Sequence, residues 1–205
     1  MLVHRKTPPN HKHSLLYLMG GTWKNDTMFD SVFTENNLQQ LLYKAGVETI
    51  SVDYDNNDTY QSLIKDIGEI TPEVDYIMGY SFGVLIAIAT AQQNTKGLIL
   101  LDANSIGGND CKTYIEDKQI ANKYFERDLQ SRNEKLKNFT EGKLTISPHK
   151  PETLLVFSDF GDKNNNLCTH GMYLRMLGKL RKKVIRNSSH FIMLEPARFE
   201  LAKEI

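Results

Sequence analysis

Residues Val74–Gln92 read VDYIMGYSFGVLIAIATAQ and contain Gly79-Tyr80-Ser81-Phe82-Gly83, a G-x-S-x-G motif. The motif ends a predicted strand (Val74 to Gly79) and opens a predicted helix over residues 82–93. A strand that turns sharply into a helix lifts the serine hydroxyl clear of the backbone. Glycines flank the serine because side chains there would collide with the neighbouring strand and helix. The serine also sits at the positive end of the helix, where backbone N–H groups favour developing negative charge. Ser81 is therefore the candidate nucleophile.

Similar short apolar runs recur on both sides of this stretch. They are LLYLM (Leu15 to Met19), VETISVDY (Val47 to Tyr54), GLILLD (Gly97 to Asp102), TLLVFS (Thr153 to Ser158) and KVIR (Lys183 to Arg186). Such continuous apolarity fits strands covered on both faces. Helices are predicted between them near residues 27–45, 59–69, 167–181 and 195–204; the last opens with Glu195-Pro196, and a first helical turn tolerates proline. Six strands with crossover helices specify an open, doubly wound, mostly parallel α/β sheet. Met1 to His4 is a candidate for a further short edge strand. About 50 residues separate Asp102 from Thr153, far beyond an ordinary α/β loop. Residues 103–150 are read as a helical insertion built on an amphipathic helix over 114–138, with Ile120, Tyr124, Phe125, Leu129 and Leu136 near one face. At the carboxyl end of a strand, such an insertion is placed to roof a pocket as a lid; a helix that merely packs on the domain is the equal alternative.

A chain of 205 residues suits one domain spanning 1–205. Apolar residues at 40% and charged residues at 24% place it among globular chains rather than disordered ones. Twenty-five basic residues against twenty-five acidic ones leave no global field to hold nucleic acid or anionic lipid. Cys111 and Cys168 are too few for a disulfide framework and lack metal-ligand spacing, so no metal is expected. No apolar run approaches the roughly 18–20 residues that a membrane span requires. The opening MLVHRKTPPNHKH lacks the apolar core of an export signal. The Asn-x-Ser/Thr triplets at Asn25, Asn57, Asn138 and Asn187 are then chance occurrences, and a cytoplasmic protein is expected.

A serine needs a base within hydrogen-bond reach and an acid to orient that base. His4, His11 and His13 lie in a polar leader and are most simply surface residues; His149 lies in a Pro-flanked loop and His170 in a loop or at a helix start. His190 follows the last predicted strand, in RNSSHFIMLEP, which puts it at the sheet edge where Ser81 should sit. It is the candidate base.

From about Leu15 to Ile205 the chain resembles the α/β-hydrolase superfamily, and more narrowly its thioesterase-type members. The resemblance is carried by GYSFG, by LILLDAN (Leu98 to Asn104), by SDFGD (Ser158 to Asp162) and by SHFIMLEP (Ser189 to Pro196). The order Ser, acid, His is the one that superfamily uses. The resemblance implies a trimmed α/β-hydrolase fold with a lid, since members usually carry two more strands ahead of Leu15. It leaves two main positions for the acid. Asp162, after the LLVFS strand, fits the commonest arrangement and is the favoured reading, with Asp159 its close neighbour. Asp102, ending LILLD, is the rival acid and fits carrier-linked thioesterase domains. The losers would cap helices. MGGTW (Met19 to Trp23) stands where members keep an oxyanion loop, with Met19 in place of the usual histidine. The implied oxyanion donors are the backbone N–H of Phe82 and one from Gly21 or Thr22. Val84 replaces a second glycine after the motif, and Asp53 sits where members often have an Asp, read here as turn-forming or capping.

The expected chemistry is two-step acyl transfer through an acyl-enzyme, with no cofactor. The resemblance points to a small acyl ester or thioester, the latter on a pantetheine carrier. A small-molecule carboxylesterase is the nearest alternative; a catalytically silent binding or interaction protein of the same fold is the other. The basic run Arg175, Lys179, Arg181, Lys182, Lys183 and Arg186 either meets an acidic carrier or is a solvated helix end.

Overall fold

The computed structural model of the chain describes residues 1–20, 29–30, 36–54, 58–102, 147–159 and 179–205. In chain order its elements are β1 (Leu2–Lys6), β2 (His13–Leu18), α1 (Leu38–Lys44), β3 (Val47–Asp53), α2 (Tyr60–Ile70), β4 (Tyr76–Tyr80), α3 (Gly83–Thr90), β5 (Gly97–Leu101), β6 (Glu152–Ser158), β7 (Leu180–Ile185) and α4 (Arg198–Glu204). The strands form one seven-stranded sheet in the order β1-β3-β2-β4-β5-β6-β7. Every neighbouring pair is parallel except β1 with β3.

The continuous apolar strands follow from burial on both faces. Leu16 and Leu18 of β2, Ile77 of β4, Leu98 and Leu100 of β5, and Leu155 and Phe157 of β6 face a core shared with α2 and α3. Their alternate neighbours Leu15, Tyr17, Met78, Ile99, Leu101, Leu154 and Val156 face a second core shared with α1 and α4. A side-chain period of two puts successive apolar residues into different cores, so no position within the run can be polar without cost.

The sheet has seven strands where the apolar runs indicate six. The added strand LVHRK alternates exposed and half-buried side chains, because it lies at the open edge and covers little core. It is held by polar contacts: His4 Nε2 lies 2.9 Å from Asp53 Oδ2, and Arg5 reaches Glu73 at 2.7 Å. Thr7 donates to the buried Glu48 at 2.6 Å. Asp53 therefore ties the edge strand to its neighbour at the end of β3.

Three helix boundaries also differ. The helix expected over 27–45 begins at Leu38 among the described residues, since Asn36 takes a left-handed φ of 49° and Asn37 caps the first turn by accepting from the Gln40 N–H at 2.9 Å. The helix expected to reach residue 181 gives way by Leu180 to β7, which pairs with β6 from Thr153↔Leu180 onward. The last helix starts at Arg198, after the expected Glu195-Pro196 opening. Most of the expected lid, 103–146, and the helix over 114–138 lie outside the described residues. The chain re-enters description at Ser147, whose N–H and hydroxyl donate to Ile88 and Ala91 carbonyls near the end of α3.

At the amino-terminal end of the sheet, Asp75 joins three neighbouring strands. Its carboxylate accepts from the Ser14 N–H at 3.1 Å and pairs with Lys96 at 2.7 Å, while its own N–H donates to the Ser14 carbonyl. Partial burial opposes ionisation of Asp75. The bonds from Lys96 and Ser14, with the charges of Lys96 and His13, outweigh it and hold the carboxyl below its usual range. A carboxylate depressed in the folded state stabilises that state above its unfolded pKa, and the gain is lost as pH falls through the folded value. Urea unfolding of wild type and Asp75→Asn should therefore show a wild-type advantage at neutral pH that shrinks on acidification below the carboxylate range. An advantage that is independent of pH would contradict this account.

Candidate active site

Ser81 follows β4 directly and has φ of 52°. Non-glycine residues avoid this left-handed region because the Cβ crowds the carbonyl oxygen. Three contacts enforce the bend. The Ser81 N–H donates to the Leu101 carbonyl at 3.0 Å, which carries the β4–β5 ladder up to the turn. A side chain on Gly83 would strike the carbonyls of Leu18 and Met19 at the end of β2. A side chain on Gly79 would lie 2.6 Å from the Gly83 carbonyl oxygen. Helix α3 thus starts pressed against β2 and β4, and this packing explains both motif glycines.

Gly20 completes the surround of Ser81. A Cβ built there would lie 2.7 Å from the Ser81 Cβ and 2.9 Å from the Tyr80 carbonyl oxygen. The chain leaving β2 therefore passes directly against the serine, which is 7% exposed. The expected oxyanion donors divide: Phe82 is the residue before α3, while Gly21 and Thr22 lie outside the described residues. Met19 is buried in the core beside α1 and α4, and Val84 in the core beside α2 and α3.

Asp102 repeats the geometry one strand over. It follows β5 with φ of 44°, and its N–H donates to the Val156 carbonyl at 2.8 Å. Its side chain is nearly inaccessible at 1% exposure, yet its oxygens are well supplied. Oδ1 accepts from the Ser158 N–H at 2.6 Å and Oδ2 from the Ser158 hydroxyl at 2.5 Å. His190 Nδ1 lies 3.0 Å from Oδ2, a distance at which the ring N–H donates to the carboxylate. The His190 backbone is held as well: Tyr80 Oη donates to its carbonyl at 2.8 Å, and the two rings pack with centroids 5.0 Å apart. An Nδ1–H engaged with a carboxylate leaves Nε2 as the basic nitrogen, the tautomer that a general base needs.

The structure thus brings together Asp102 and His190, and it sets Ser81 and Asp102 at the ends of adjacent strands. Asp162, the favoured acid from the sequence, lies outside the described residues. Asp159 pairs with Arg186 at 2.8 Å and not with His190. The other described histidines lie elsewhere: His4 on Asp53, His11 near Glu48, His13 near Asp75, and His149 beside Thr95 at the amino end of β5. Three supporting residues, Gly20, Tyr80 and Ser158, carry no role in the sequence reading. The repeated glycines of MGG hinted at the first; nothing in the sequence marks the other two.

Solved structures superpose on most of the chain. Among them are RedJ, a thioesterase from the prodiginine biosynthetic pathway of Streptomyces coelicolor (TM-score 0.71, 13% identity, 97% of this chain and 92% of that one), a lipase-esterase related protein from Clostridium acetobutylicum (0.68, 12%, 100% and 98%), and MenH from S. aureus (0.67, 14%, 98% and 95%). The chain has the α/β-hydrolase fold. No protein-family model matches the sequence, and no curated protein matches it.

In this α/β-hydrolase fold a cleft of about 320 Å³ opens at the other end of the sheet, lined by Tyr76, Leu98, Leu154 and Arg181 among others. It is remote from Ser81 and takes no part in the site. The backbone strain at Ser81 has a measurable consequence. Ser81→Gly relieves it and Ser81→Ala does not, so Ser81→Gly should be the more stable by roughly 0.5–1 kcal/mol in urea unfolding, despite the freer unfolded chain of glycine. Gly83→Ala should cost about 1–3 kcal/mol by overpacking against backbone. Ser81→Ala matching or exceeding Ser81→Gly would show that the bend is unstrained.

Proposed function

We propose that the chain is a serine hydrolase that cleaves an acyl ester or thioester, with Ser81 as nucleophile, His190 as general base and Asp102 as the acid. The observation that carries the reading is the Asp102–His190 hydrogen bond of 3.0 Å, formed beside a serine held at positive φ after a strand. Asp102 displaces the sequence preference for Asp162 in this proposal, because its carboxylate already holds the imidazole and is itself buried and bonded.

In the proposed cycle the Ser81 Oγ attacks the acyl carbonyl carbon as His190 Nε2 takes its proton. The oxyanion is held by the Phe82 N–H and by one from the loop after β2, where Gly21 is the candidate. The carbon–sulfur or carbon–oxygen bond then breaks, and His190 returns the proton to the leaving group. Water attacks the acyl-enzyme with His190 again as base, releasing the carboxylic acid and restoring Ser81. Asp102 stays ionised throughout and stabilises the imidazolium. None of these steps calls on a metal or organic cofactor.

The thioesterase-like form of the reading is supported by the sequence resemblance and by the fold shared with the RedJ thioesterase; the esterase form, by the fold shared with the lipase-esterase related protein. A pantetheine-borne substrate belongs to the first form. The basic run gives that carrier little help. Lys179 pairs with Glu152, Lys183 with Glu200 and Glu204, and Arg186 with Asp159, so much of its charge is already met.

A fluorophosphonate probe should label the intact protein, and Ser81→Ala should abolish the labelling. A folded protein that stays unlabelled would favour a silent binding or interaction protein. With a matched oxygen ester and thioester, Asp102→Asn should lower kcat by about three to four orders of magnitude through loss of the correct tautomer, and Asp162→Asn by little. The reverse ranking would move the acid to Asp162, and small equal losses would remove both.

A further inference from the structure

We propose that Ser158 is a positioning residue for the acid, fixing the plane of the Asp102 carboxylate so that one oxygen faces His190. The proposal rests on the triad reading above and goes beyond it by adding a fourth residue. Ser158 is the last residue of β6 and is fully buried. The register Leu101↔Val156 sets Asp102 level with Phe157, so Ser158 lies one step further toward the carboxyl edge. From there it reaches both oxygens, Oδ1 through its N–H at 2.6 Å and Oδ2 through its hydroxyl at 2.5 Å.

Two bonds to the two oxygens from one residue on a rigid strand stop rotation of the carboxyl group. A single bond would leave that rotation free. Oδ2 then has its remaining acceptor direction for His190 Nδ1, and the three bonds use most of the roughly four lone-pair directions of a carboxylate. The arrangement also supplies the donors that a carboxylate needs in so dry a place, since buried charges persist only where hydrogen bonds replace water. Only the hydroxyl half depends on the side chain, since any residue supplies the N–H. The choice of serine is therefore the testable part.

The experiment compares Ser158→Cys, which keeps the size but weakens the donor, with Ser158→Thr, which keeps the hydroxyl, using p-nitrophenyl butyrate and thermal melts of each variant. Loss of one bond to a charged group corresponds to a fall of about 10- to 100-fold. That loss is expected in kcat for Ser158→Cys, with KM within about twofold, and Ser158→Thr should recover most of it. In an Asp102→Asn background, Ser158→Cys should cost almost nothing more, because its effect runs through the carboxylate. Wild-type kcat in a folded Ser158→Cys, or an undiminished loss in the Asp102→Asn background, overturns the proposal while leaving the triad standing. An Asp102→Asn variant with wild-type kcat overturns both. Should Ser158→Thr fail to fold, the Cys variant and the double variant decide the matter.

Discussion

At Ser81 and at Asp102 the chain leaves neighbouring parallel strands in the left-handed region, with φ of 52° and 44°. Both steps are imposed by the ladder. Each residue donates its N–H to the next strand in the series, Ser81 to Leu101 and Asp102 to Val156, before its side chain turns away from the sheet. Strain of this kind, of order 1–3 kcal/mol per residue, persists only where surrounding contacts over-determine it. Here those contacts are backbone against backbone: α3 against β2 through Gly83, and Gly20 against the Tyr80 carbonyl. The backbone points from which the hydroxyl and the carboxylate project are therefore set by main chain in four adjacent strands, β2, β4, β5 and β6.

What could be read from the sequence follows from the same constraint. The strand–turn–helix at GYSFG needs glycine at two places for steric reasons, so it leaves a mark in the residues themselves. Four of the five parallel strands from β2 to β6 leave one too, because burial on two faces favours apolar runs; β3, VETISVD, carries the buried Glu48, Thr49 and Ser51. β1 and β7 sit at the sheet's edges and bury much less. LVHRK leaves its side chains exposed or half-buried, so it offers only a candidate edge strand over Met1 to His4. LRKKVI carries cations that blunt an open edge, so its strand signal is confined to KVIR while its start reads as the end of a helix. The proposed acid was harder still. Nothing local distinguishes the Asp that holds an imidazole from one that caps a helix. The deciding contact joins residues 88 positions apart. Ser158 and Tyr80 are hidden for the same reason: each acts through a partner remote in sequence, Asp102 and the His190 carbonyl.

Buried polar atoms are treated very differently in two parts of the sheet. Around Asp102 each carboxylate oxygen has a donor. On β2 and β3, the hydroxyls of Tyr17, Thr49, Ser51 and, just beyond β3, Tyr54 are buried with no hydrogen-bond partner among the described residues. Burial drives the Tyr17 and Tyr54 phenols well above their ordinary range, reinforced for Tyr17 by Tyr54 and for Tyr54 by Asp58, so both remain neutral. An unpaired neutral hydroxyl costs about 1–3 kcal/mol, a sum that a core of this size absorbs. An unpaired buried carboxylate would cost far more, or would take up a proton and lose its use to an imidazole. The difference in treatment follows the difference in charge.

That cost bears on where an acid can stand in such a sheet. A carboxylate carried on a long loop needs the loop itself to be fixed before its charge can be aimed. At the end of β5 no separate fixing is required, because the β5–β6 ladder that aligns Leu101 with Val156 also brings Ser158 within bonding distance of Asp102. In the proposed triad the segment that follows Ser158 does not present the acid. Asp159, the first residue of that segment, pairs with Arg186 and donates its N–H to the Ser188 hydroxyl, both close to the turn that carries His190. The proposed acid and base are thus tied to neighbouring strands, Asp102 to β6 through Ser158 and His190 to the turn that follows β7.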